Sequence, residues 1–106
     1  MRWKGETHKI LTRFYDCTWG KTGDVFDILS SDTQIIYEVA GEFTRVYQNE
    51  TIRSFIESLS DVNCKYFKVA QSFNQVIVEY SDGIKSYTDI FTINRDKIIS
   101  LKMRVE

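Results

Sequence analysis

Apolar residues in this chain change their spacing once, at Ser60-Asp61: before it most of them recur every third or fourth position, and after it every second. A helical stripe cannot serve as a strand face, nor the reverse, so helices lead and strands follow, the order of an α+β fold. In the first half, Ile10, Leu11, Phe14, Tyr15 and Trp19 predict a helix over 8–19 with Thr7 as its cap. Gly20 to Gly23 break it, and Asp24 opens a short second helix that buries Val25, Phe26, Ile28 and Leu29 and ends near Ser30-Ser31. Residues 34–39 read as a strand running into a turn at Ala40-Gly41. A third helix is expected after Asn49 as its cap, with Glu50 in its first turn and Ile52, Phe55, Ile56 and Leu59 at i, i+3, i+4 and i+7. Beyond the change of period, strands are expected at 63–71, 75–80, 84–93 and 97–105, joined by short turns as an antiparallel meander. The expectation is one domain over 1–106: three N-terminal helices packed on a curved antiparallel sheet.

A chain of 106 residues has room for one core, and seven Phe, six Tyr and two Trp, with no proline, fill it generously. Lys and Arg total 14 against 15 Asp and Glu, a net charge of -1. That leaves no positive field to draw phosphates, so nucleic acid is not expected as a partner. Cys17 and Cys64 stand far apart and His8 is the single histidine, too few soft ligands for a structural zinc. Reduced thiols, no metal, no cofactor and a cytoplasmic location are expected. No apolar run is long enough for a membrane span or an export signal.

Alternation in the last two strands picks out one residue. Tyr87, Asp89, Phe91 and Ile93 share a face, which puts a carboxyl on an apolar surface. Such a group must be paired, hydrogen-bonded or protonated, since burying it ionised and alone is too costly. Lys102, Lys85 or a backbone amide could satisfy it.

Several stretches resemble the NTF2-like superfamily, and within it the SnoaL-like and ketosteroid-isomerase-like branch. They are Phe14-Tyr15 ahead of Gly23-Asp24, Ser31-Asp32 at the entry to the first strand, the run from Tyr47 to Phe55, and the closing segment from Tyr87 to Ile98. The resemblance implies a cone-shaped fold whose pocket lies between helices and sheet. It implies Glu38 at the proton-shuttling position and Asp89 at the position of a protonated acid that donates to an oxyanion; the general case of a carboxylic acid kept neutral by an apolar site is well known in that isomerase. A helix-one tyrosine also belongs to the pattern; counting back from Gly23-Asp24 lands on Asp16, with Tyr15 beside it. Phe14, Tyr15, Trp19, Phe55, Tyr87 and Phe91 become ligand-contact candidates, against the alternative that they only pack the core.

The expected partner is a hydrophobic small molecule bearing a carbonyl or similar oxygen. The expected chemistry is cofactor-free proton transfer, as in an isomerase, cyclase or dehydratase, with Glu38 as base and Asp89 as neutral donor. The alternative is a non-catalytic module that binds a ligand or a protein. Tyr66, Lys68, Val78, Tyr80 and Ile90 are assigned to the outer sheet face, where a homodimer could form.

Overall fold

The structure is a computed structural model and describes residues 5–106, the side chains of Glu6 and His8 excepted. Helix α1 (Gly5–Thr18) presents Ile10, Leu11 and Phe14 of the expected stripe to the interior, together with Cys17; Trp19 lies just past its end, and Thr7 is inside the helix rather than capping it. The second helix is reduced to a single 3-10 turn, Val25–Asp27, with the Asp24 carboxylate accepting from the Phe26 amide. The strand that follows begins as early as Leu29. Two α-helices, not three, therefore precede the last four strands.

Strand β1 (Leu29–Val39) turns at Gly41 (φ +76) into β2 (Phe43–Gln48), an element the sequence reading left out. Helix α2 (Glu50–Ser58) then buries Ile52, Phe55 and Ile56. Asn49 does precede it, at φ 55, but caps nothing with its side chain; the Thr51 hydroxyl instead exchanges bonds with the backbone of Gln48. Strands β3 (Tyr66–Ser72), β4 (Gln75–Ser81), β5 (Ser86–Asn94) and β6 (Lys97–Val105) complete a six-stranded sheet in the order β2-β1-β6-β5-β4-β3.

That order corrects the antiparallel expectation. The β1 and β6 strands pair parallel, and the sheet is mixed, with every other pairing antiparallel. Parallel pairing needs a long crossover, and here everything from β2 to β5 supplies it. Register shifts between Leu29 and Gln34 and between Thr92 and Ile93 bend the sheet. At the first, the buried Thr33 hydroxyl donates to the carbonyl of Ile98 and pairs with the Ser30 hydroxyl, holding the irregular backbone together.

The inner face carries Ile35 from β1, Leu101 and Met103 from β6, Phe91 from β5, and Val76, Val78 and Tyr80 from β4, all buried. Phe14 of α1 meets Phe91 edge-on at 5.1 Å between ring centres, seating the helix on the sheet. At the other end, the Lys21 ammonium donates to the carbonyls of Ile56, Glu57 and Leu59, closing the C-terminus of α2. No helix among the described residues is long and apolar enough to cross a membrane.

Candidate binding site around Asp89

Register partners in a sheet share a face, and those of Asp89 are Val78 on β4 and Met103 on β6, the latter in turn beside Tyr37 on β1. Asp89 thus points inward beneath the helices and is only 1% exposed. Two hydroxyls meet it. Tyr15, from α1, donates to Oδ2 at 2.7 Å, and Tyr80, from the neighbouring strand, donates to the same oxygen at 2.9 Å. Neither bonds Oδ1.

Burial pushes the Asp89 carboxyl up to about 7, against a downward pull from the two tyrosine hydroxyls. The tyrosines move the same way for related reasons: burial, then the negative charge of Asp89, raise both above the ordinary phenol range. Both phenols keep their protons throughout the range in which Asp89 titrates, and they occupy Oδ2. The proton that neutralises Asp89 therefore belongs on Oδ1.

A cavity of about 440 Å³ opens above this carboxyl, a volume suited to a small organic ligand. Asp89, Tyr80 and Met103 form its buried end; Trp19, Tyr37, Phe55 and Tyr87 stand in its walls. The rings brace one another. Tyr80 and Tyr87 stack at 5.0 Å, Tyr47 and Phe55 at 4.3 Å, and Trp19 lies edge-on to Tyr80 at 5.3 Å. Exposed Arg45, Asp61 and Lys85 lie at the open end, where the segment after α2 contributes Leu59 to Val62.

No family model and no curated protein matches this sequence. Solved structures do match. A protein from Sphaerobacter thermophilus is similar at TM-score 0.72 and 18% identity, covering 92% of this chain and 93% of that one. An NTF2-like protein from Anabaena variabilis is similar at 0.65 and 15%, over 100% and 93% of the two chains. An NTF2-like protein of unknown function from Cytophaga hutchinsonii gives 0.61 and 16%, over 95% and 96%. The fold is NTF2-like. Identities this low speak for the architecture alone.

Within this NTF2-like frame the residues singled out from sequence separate into groups. Trp19, Phe55, Tyr87 and Asp89 line the cavity. Tyr15 stands behind Asp89 and touches it through the hydroxyl, while Asp16, where the ungapped count landed, is exposed. Phe14 and Phe91 are wholly buried in the core and do not reach the cavity. Glu38 is not brought to Asp89. Its register partner on β6 is Arg104, so it lies on the outer face, ion-paired with Arg104 at 3.3 Å and Lys102 at 3.6 Å. One residue of parity separates it from Tyr37, which does line the cavity.

Tyr80 and Val78, assigned to the outer face from sequence, are buried on the inner one. The signal for this was present: Val76, Val78 and Tyr80 alternate with Ile77 and Glu79, and the acid marks the solvent side. Tyr37, Tyr47 and Arg45 were also missed, the latter two because β2 itself was. The lysine partners considered for Asp89 are not used; two phenols take their place. Among the described residues no three His, Cys, Asp or Glu gather as a metal site, and Cys17 and Cys64 are free thiols, one buried and one exposed.

Proposed function

We propose that this cavity binds a hydrophobic small molecule and that Asp89 hydrogen-bonds an oxygen of that ligand through Oδ1. The observation that carries the reading is the pair of tyrosine hydroxyls on Oδ2 of a buried carboxyl that itself lines the cavity. With both hydroxyls on Oδ2, Oδ1 is the oxygen available to a ligand, which supports an acid proton there. A neutral carboxylic acid in an apolar pocket is a strong donor toward a carbonyl or an oxyanion.

The same arrangement bears on chemistry. With Glu38 on the outer face, acid–base work at the buried end of this cavity rests on Asp89, a group whose proton affinity near neutrality suits either giving or taking a proton. A single-residue proton shuttle for isomerisation, cyclisation or dehydration is the catalytic form of the proposal. Kinship with the SnoaL-like and ketosteroid-isomerase-like branch is supported by Asp89 and by the Tyr15 hydroxyl, and weakened by Glu38. A second reading, ligand binding without turnover, is favoured by the lack, among the described residues, of a second buried carboxyl in the cavity lining.

The test uses 1-tetralone, an aromatic ketone, followed by chemical-shift changes at Trp19 and Tyr87. Binding should be saturable at pH 6 and should weaken about tenfold for each pH unit above 7, as the donor proton is lost. In Asp89→Asn, whose side-chain amide keeps a donor at every pH, the affinity should not vary with pH. Absence of saturable shifts at pH 6, or the same pH profile in both proteins, overturns the proposal.

A further inference from the structure

The open end of the cavity differs in character from its floor. Arg45 projects from β2 on the side of its register partner Tyr37, with its guanidinium 4.8 Å from the centre of the Phe43 ring, which holds the charge against the cavity wall. Among the described residues no carboxylate lies within ion-pair distance of Arg45, nor of the Lys85 ammonium, which also lines the cavity. Arg104, whose register partner is Glu38 on the outer face, is engaged by Glu38 and Glu106. The carboxylate of Asp61 also lines the cavity, while that of Asp82 is taken up by the backbone amides of Ile84 and Lys85 and by the Tyr87 hydroxyl. A chain of net charge -1 therefore gathers two unpaired cations at the mouth of an aromatic-walled cavity.

The shape of the walls adds a second constraint. Tyr37 and Phe55 lie 5.0 Å apart, Tyr80 and Tyr87 stack, and Trp19 closes one side. Flat rings present flat faces, and a planar aromatic body gains most from offset or edge contact with them. A hydrogen-bonding floor, aromatic walls and a cationic mouth together describe a molecule with three parts in a line.

Resting on the binding reading above, we propose that the ligand class is a planar aromatic carboxylate, its carboxylate held by Arg45 and Lys85 at the mouth and an oxygen substituent at its far end bonded to Asp89. Arg45 supplies the planar fork that meets a carboxylate with two parallel hydrogen bonds, and Lys85 adds a point charge. Both are specificity-determining residues, remote from the group at the floor.

Three probes separate the parts: 6-hydroxy-2-naphthoate, its neutral carboxamide 6-hydroxy-2-naphthamide, and 2-naphthoate, which lacks the hydroxyl. Intrinsic naphthalene fluorescence reports binding to the full chain at pH 6. The hydroxy acid should bind roughly tenfold tighter than the carboxamide, the scale of two partly exposed charge-assisted contacts. The gap should narrow at high salt and close in the double variant R45Q/K85Q, while the carboxamide binds wild type and variant equally. 2-Naphthoate should bind more weakly than the hydroxy acid in wild type and in the variant alike. Equal, saturable binding of acid and carboxamide overturns the cationic-mouth proposal and leaves the Asp89 reading standing. Failure of all three probes to bind overturns both.

Discussion

Replacing Asp89 by asparagine should make the protein more resistant to unfolding at alkaline pH and not at acid pH. Asn keeps the shape and an acceptor for the Tyr15 and Tyr80 hydroxyls, so the swap removes the charge and little else. In the folded protein the carboxyl takes its proton at about 7, against 3.8 for an ordinary aspartate. Its folded affinity for the proton is raised, so the stability it contributes is complete below pH 3.8 and is lost as pH rises through 7. Between those limits the unfolded chain has released the proton and the folded one has not, and unfolding becomes easier by about 1.4 kcal/mol per pH unit. The whole window amounts to about 4 kcal/mol, a large fraction of the stability of a domain this size. Urea denaturation of both proteins from pH 4 to pH 8 measures it, with the m-values compared to confirm a common unfolded state. The difference in stability, Asn variant minus wild type, should grow by about 4 kcal/mol across the series. Packing changes caused by the substitution are pH-independent and cancel from that growth. A difference that stays flat, or that grows in favour of wild type, refutes the argument that Asp89 is buried and neutral.

Three further substitutions probe the surroundings. Tyr80→Phe removes one of the two bonds that favour the ionised form, so the protonated carboxyl band of Asp89 in isotope-edited infrared spectra should persist to higher pH than in wild type; persistence to lower pH only would contradict the bonding scheme. Glu38→Gln breaks pairs that are partly exposed, so it should cost less than about 1 kcal/mol and leave 1-tetralone binding intact, which a titration of the variant checks. Lys21→Met strips three carbonyls at the end of α2 of their donor and should cost about 1 kcal/mol, seen as a melting temperature lower by about 4–8 °C.

How much of this was legible beforehand depended on whether the information was local. Asp89 could be found because β5 alternates cleanly, with Tyr87, Phe91 and Ile93 naming its face without help from another strand. The stripes of α1 and α2 were equally self-contained. Glu38 was misplaced because Ile35 and Ile36 make both phases of β1 apolar, leaving the face undecided. What decides it is the parallel pairing with β6, which sets Glu38 beside Arg104 across 66 positions of sequence. No spacing within β1 carries that. The second helix failed for a different reason: Asp24 starts a turn correctly, but β1 claims the chain from Leu29 onward, and sheet pairing outweighs the helical preference of so short a segment. Strand β2 was overlooked because the charge of Arg45 interrupts its inward face between Phe43 and Tyr47 while Val46 sits on the outer one, so no clean apolar alternation marks it. With it went Arg45 and Tyr47, and hence the charge at the mouth of the cavity.

The central claim is that a proton resides on Asp89 near neutral pH, and a ¹³C NMR titration of its carboxyl carbon measures that directly. The midpoint should fall at about 7. A midpoint near 3.8, the value of an ordinary solvated aspartate, would contradict it.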